Sequence, residues 1–295
     1  MRMKSINWLL LCGLSVLTLA ACTATGSSEE FEVDEAIISG WKANHKDKGE
    51  VRSSSSEGET DSLPDLSGYL KMVEIPAMTY VRGNIQFSLD EYSMSETEVT
   101  QELYSEVMQG TAKGGKYPVY DVNWYEAALF CNAISKLVGL DTAYVYKSIN
   151  ADGELVNLSV NYAVKTVRLP TEMEWEVAAR AGSRSTYYWG TAEASKYAYY
   201  AQSKGPVEVA SYIPNAYGLY DMGGNVAEWV GDWYASLPTT SQVNYTGASS
   251  GTLKGIRGGG WSDKVTALAS AERNKKDPMY RGQTVGFRVV YSKGI

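Results

Sequence analysis

The chain has 295 residues, 44% hydrophobic and 12% aromatic, enough for one large domain with a real core or two small ones. Its formal net charge of -7 argues against nucleic acid as a partner, because phosphates call for basic patches. Tyr (22) and Trp (8) far outnumber Phe (4), a skew that suits either a half-wet binding face or Tyr-rich β structure.

The first residues read as an address. "MRMK" supplies positive charge, "INWLLLCGLSVLTLA" a short apolar run, and Leu19-Ala20-Ala21-Cys22 closes it in a pattern that resembles the bacterial lipobox. A signal peptide over 1–21 and lipid on Cys22 are expected, which makes the protein membrane-anchored rather than membrane-spanning and places it in the bacterial cell envelope, at the outer membrane or cell surface. Cys12 then leaves with the signal, so Cys131 alone remains in the folded part and no internal disulfide can form. Residues 22–66 are polar and charged ("SSEE", "KANHKDKGE", "SSSSEGETDS") and read as a flexible tether, with room for one isolated helix near Phe31–Ala43. A single domain is expected over 67–295, without internal repeats.

Within it, "KMVEIPAMTYV" and "FSLDEYSMSETEV" have strand character, and a short helix is predicted after Thr100 with Leu103 and Val107 on one face. Asn123 and Glu126 form a capping-box pattern, followed by Trp124, Ala127, Cys131, Ile134 and Val138 at helical spacing and a stop at Gly139. Cys131 therefore reads as a core residue. Thr171 and Glu174 open another helix that ends at Gly182, and Arg168 with Glu172 could form a buried ion pair locking the preceding loop to it. "VAEWVGDWY", "GIRGGGW" and "GFRVV" read as further strands, with Trp175, Trp229, Trp233 and Trp261 in or near the core. Short strands, few helices and glycine-rich turns indicate an α+β fold.

Seven motifs occur in order over Glu96–Val290: "ETEVTQELY", "YPVYDVNWYEAALFCNAIS", "RLPTEMEWEVAARAG", "YYWG", "NAYGLYDMGGNVAEWVGDWY", "RGGGW" and "GFRVV". Together they resemble the formylglycine-generating-enzyme (sulfatase-modifying factor) family. The resemblance implies its loop-rich variant of the C-type lectin fold. It also implies two catalytic cysteines, six and eleven positions after the Arg of "RGG"; here those positions hold Asp263 and Leu268, which cannot form thiolates or bind copper. An iron-dependent branch of similar fold needs several histidines, whereas the only one here is His45, in the tether. No redox metal is expected. A carboxylate-based site using Asp263, Glu272 or Asp277 remains conceivable, although Lys264, Arg273, Lys275 and Lys276 around them suggest a solvated mixed-charge loop.

The resemblance further implies a structural Ca²⁺ at Asp221, Gly224, Val226 and Glu228, with the alternative that Asp221 and Glu228 only satisfy backbone N–H groups. The family's other Ca²⁺ site is not expected, because Tyr199 stands where its Asn would be. What remains for the terminal segment is display: two strands, ending at Trp261 and starting near Gly286, holding Trp261, Asp263, Arg273, Asn274, Lys275, Tyr280 and Arg281 for a protein or glycan ligand. The expected protein is a monomeric, non-catalytic, lipid-anchored binding protein. It is similar in layout to spirochaete lipoproteins whose terminal segment a retroelement diversifies. The alternatives are an atypical protein-modifying oxidoreductase of the family or a structural part of an envelope machine.

Overall fold

The computed structural model describes residues 65–110 and 114–295; Cys22, the signal peptide and nearly all of the expected tether lie outside them. Leu66 is buried and its carbonyl accepts the N–H groups of Tyr69 and Leu70, so the domain starts slightly earlier than the tether boundary at 66 suggests. No helix among the described residues is long and apolar enough to cross a membrane.

The two strand-like stretches after Leu70 become four strands, β1 (Met72–Ile75), β2 (Met78–Arg82), β3 (Ile85–Leu89) and β4 (Tyr92–Ser95), of which β2 and β3 form a hairpin and β1 pairs with β4. Helix α1 (Gln101–Met108) follows, with the Thr100 hydroxyl accepting from Leu103 N and with Leu103 and Val107 buried as predicted. Helix α2 (Trp124–Leu137) opens on the complete Asn123–Glu126 capping box. The sequence suggested one apolar stripe along it, but 12 of its residues are buried. Aromatic rings and neighbouring elements surround it, Phe130 meeting Tyr104 of α1 and Phe287, and Ser135 bonding the backbone of Val167. Val138, expected in the stripe, is only the half-buried C-cap.

Four short strands, β5 (Tyr144–Val145), β6 (Ser148–Ile149), β7 (Leu155–Val156) and β8 (Ser159–Val160), form nested antiparallel pairs, followed by β9 (Thr166–Arg168). Helix α3 (Glu172–Arg180) starts on the predicted Thr171–Glu174 box. The last third contributes β10 (Ala227–Trp233), β11 (Gln242–Val243), β12 (Lys254–Arg257), β13 (Asn274–Lys276), β14 (Val285–Gly286) and β15 (Val290–Ser292). Besides the two pairs β5-β8 and β6-β7, three larger sheets result among the described residues, ordered β1-β4-β15-β9, β13-β12-β10-β14 and β11-β3-β2.

Three expectations need correction. "GFRVV" is not one strand: β14 pairs with β10 and β15 with β4 and β9, so the chain crosses between sheets at Phe287–Val289. Arg288 explains the crossing, since its buried guanidinium reaches Glu228 and the carbonyls of Ser95 and Tyr220 at once. Arg168 pairs with Glu174, at 2.7 Å through both nitrogens, and not with Glu172. In a capping box the N3 side chain turns back toward the helix start and so toward β9, whereas Glu172 faces Arg257 and Arg273. Finally, Trp175 and Trp229 are fully buried, but Trp233 and Trp261 are half-exposed.

Candidate ligand-binding face

The segment between Arg257 and Val285 hangs from the two sides of one strand. β12 pairs antiparallel with β10 (Glu228 opposite Arg257) and β14 pairs parallel with it (Glu228 opposite Gly286). Glu228 anchors both ends. Its carboxylate takes Arg288 Nε and Nη2 at 2.7 and 2.8 Å and the Trp175 indole N–H at 2.6 Å.

The positions of the family's two cysteines have distinct fates. Leu268 closes a short 3-10 turn (Val265–Leu268) and packs, 1% exposed, in a small apolar cluster with Trp189 and Ala198. Trp189 is itself stacked on Tyr187, with ring centroids 4.8 Å apart. Gly259, at φ 70°, lies so close that a Cβ there would stand 3.0 Å from Leu268 Cδ1, so the glycine is what admits the leucine. Asp263 is exposed, and its carboxylate accepts the Gly260 N–H at 2.9 Å. One of the two positions is thus core and the other a turn cap. The one cysteine among the described residues, Cys131, is fully buried in α2, and burial pushes its pKa up, away from thiolate chemistry.

The seven residues expected to be displayed do not line one common cleft. The segment is partly built structure, because β13 folds back on β12 with Asn274 opposite Ile256. Arg273 reaches inward to Glu172 at 2.5 and 2.6 Å and lies over the Tyr234 ring, as does Lys275. Arg281 makes a bidentate pair with Glu126 on α2, and Tyr280 carries Lys276 over its ring. Asp263 and Asn274 border a crevice of about 80 Å³ beside Arg257 and Glu272.

Trp261 alone of the seven enters a larger cleft, about 460 Å³, with Tyr117, Tyr120, Gln101, Gln283 and the turn Ser203–Pro206. The Trp261 indole donates to the Gln283 carbonyl at 3.0 Å, and its backbone N–H donates to Asn225 O at 2.7 Å. These bonds fix the ring as one wall. In the same lining Tyr117 is 39% exposed, a large aromatic surface facing water. Sequence reading missed Tyr117, Tyr120, Gln283 and Lys204. The only signal was the "GGKYPVYD" stretch, whose tyrosines alternate with turn residues instead of filling a helical or strand period.

A second feature lies beneath the β10 strand. Glu98, Asp221 and Glu228 are all buried, and Arg288 is the guanidinium among them. Glu228 is committed to Arg288, whereas Glu98 Oε2 has no partner among the described residues. Asp221 accepts the Ala210 N–H at 2.8 Å. Burial, and then the Asp221 carboxylate, push the Glu98 pKa well up; burial also raises Asp221. Of the four residues expected around Ca²⁺, Glu228 is thus held by Arg288 in two bonds, whereas Asp221 has Arg288 as a neighbouring charge without a direct ion pair to it, its carboxylate bonded to the Ala210 N–H. No group of three or more His, Cys, Asp or Glu side chains among the described residues converges as a metal site.

A loop-rich α+β scaffold of three helices and many short strands defines a class: a lectin-like domain of the formylglycine-generating type. The sulfatase-modifying factor enzyme 1-like domain model matches residues 68–293, and the chain belongs to that family. Among solved structures it resembles Treponema denticola variable protein 1, at 33% identity and TM-score 0.66, over 75% of this chain and 94% of that one. CarF is also similar, at 26% identity and TM-score 0.63, over 77% of this chain and 98% of that one. Among curated relatives, the chaperone protein LppX of Paenibacillus barcinonensis is 30% identical over 70% of this chain and 82% of its own length. The formylglycine-generating enzyme of Mus musculus is 27% identical over 58% of this chain, but the match spans only 43% of that enzyme.

Proposed function

We propose that the protein is a non-catalytic binding protein, held to the cell envelope through lipid on Cys22, whose Trp261 cleft takes a protein or glycan ligand. The observation that carries this reading is the pairing of a buried Leu268, where the family resemblance implies a cysteine, with an open cleft lined by the aromatic rings of Trp261 and Tyr117. Aromatic walls with amides and hydroxyls between them give contact area at low entropic cost. The similarity to a Treponema variable protein and to a chaperone protein is compatible with a binding role. The test is an array of glycans and envelope proteins probed with cells bearing the full chain. Retained ligand should fall at least tenfold in Trp261→Ala or Tyr117→Ala, and Cys22→Ser should release the chain from the cells with binding intact. Ligand capture unaffected by both aromatic substitutions would sink the reading.

The same reading includes a structural Ca²⁺ held near Asp221, Gly224, Val226 and Glu228. Its support is the buried surplus of carboxylate, with Glu98 Oε2 unpartnered, since hard oxygen donors in excess suit a divalent cation. Added Ca²⁺ should raise the melting temperature by several degrees, and Asp221→Ala should abolish that rise. An identical melting point with calcium and with chelator would remove the proposal.

A further inference from the structure

The β2–β3 hairpin turns on Gly83-Asn84, with Arg82 opposite Ile85 and Gly83 at φ 61°. A glycine at the first position of a two-residue loop fits the turn that continues the strand twist. In such a hairpin the closing pair is hydrogen-bonded, so Arg82, Tyr80 and Met78 bond to β3. Thr79 and Val81 then aim their N–H and C=O groups the other way. β2 is the end strand of its sheet, and no strand among the described residues lies beyond it. Val81 is 54% exposed. An open, partly apolar strand edge is a ready template for another strand.

That edge forms one wall of a groove of about 670 Å³, lined without a break by Met78–Gly83 and, opposite, by Val177, Arg180 and Gly182–Arg184 at the end of α3. The floor is cationic. Glu176 is the one carboxylate there, and it serves Arg82, Arg180 and the buried Arg257 together, with the Tyr80 hydroxyl bonded to it at 2.7 Å. Arg257 also meets Glu172, but that carboxylate is held by Arg273 in two bonds. Glu176 thus faces three guanidiniums, and the exposed side chain of Arg184 at the groove's rim has no partner among the described residues, so the groove carries a surplus of positive charge. The chain as a whole carries -7, so this is a local reversal of sign.

We propose that this groove binds an extended acidic peptide segment of a partner protein, which adds as a strand to the free edge of β2. Thr79 and Val81 supply the main-chain hydrogen bonds, and the guanidiniums of Arg184, Arg180 and Arg82 select carboxylate side chains on the face turned toward α3. The site is separate from the Trp261 cleft and stands whether or not that cleft binds its ligand.

Fluorescence anisotropy with a labelled, capped peptide of alternating Glu and Val tests this, against the same peptide with Lys for Glu. The Glu peptide should bind the intact protein and the Lys peptide should not. Arg184→Glu should weaken binding about tenfold. Val81→Pro removes an outward N–H and no ladder bond, so it should abolish binding while leaving the melting temperature within a few degrees. Hydrogen exchange should show the Thr79 and Val81 amides protected only when the Glu peptide is present. No binding of the Glu peptide, equal binding of both peptides, or binding without that protection overturns the proposal. Protection that appears without peptide as protein concentration rises would assign the edge to a second copy of the chain, and overturns it equally.

Discussion

Replacing Arg288 by methionine is expected to lower the stability of the domain by about 3–5 kcal/mol, the usual cost of removing one partner from a buried ion pair. Arg288 is fully buried and makes bonds to Glu228, Ser95 O, Glu96 O and Tyr220 O. Without it Glu228 loses its counter-charge, and Glu98 and Asp221 lose the same nearby cation. Methionine fills much of the volume, so the loss is electrostatic and not a cavity. A second substitution separates the two: Arg288→Met with Glu228→Gln removes the stranded charge and should recover a substantial part of the deficit. Urea midpoints of the three proteins measure this. A single variant with an unchanged midpoint, or a double variant no better than the single, would show that the pair does not hold β14 and β10 together.

Acid should unfold the domain earlier than its number of surface ion pairs would suggest, and α3 is the cause. Burial by itself would raise the pKa values of Glu174 and Glu176, but Arg168 overcomes it for Glu174, and Arg257 and then Arg82 overcome it for Glu176. Both folded values lie below the usual carboxylate value. A carboxylate whose folded pKa is depressed stabilises the fold above its unfolded pKa, about 4.3, and that contribution disappears as pH falls through the folded value. Each unit of depression corresponds to about 1.4 kcal/mol. The urea midpoint should therefore be insensitive to these groups from pH 7 to about 5 and fall steeply below about 4. Glu174→Gln is less stable at pH 7, because it strands Arg168, and its midpoint should fall less on acidification. Parallel pH curves for the two proteins would contradict the assignment.

Local chemistry made much of the scaffold legible from sequence. The capping boxes at Asn123–Glu126 and Thr171–Glu174, and the cap at Thr100, locate all three helices of the described residues because each cap is satisfied within its own turn. The strand at "VAEWVGDWY" was equally readable, although its residues are buried on both faces and do not alternate. The ordered motifs specified the family because its loops and strands repeat the same glycine and tryptophan constraints. The candidate site was read less well. Arg273 and Arg281 looked like displayed cations, yet each has a carboxylate more than a hundred positions away, at Glu172 and Glu126. No window of sequence can show a charge its distant partner. Trp261 was found, but its neighbours Tyr117, Tyr120 and Lys204 come from two other loops.

The sequence alone determined that Asp263 and Leu268 stand where the family resemblance implies cysteines, and that the domain is α+β with its helices where their caps lie. Tertiary structure decided which charges are spent and which are free. It turned Glu174 toward Arg168 and Glu172 toward Arg273, divided "GFRVV" between two sheets, buried Leu268 against Trp189, and left the β2 edge open over a cationic groove. The physical reason is the range of the forces. Caps and turns are settled within a few residues, whereas ion pairing, desolvation and edge exposure depend on which distant segments the packed core brings together.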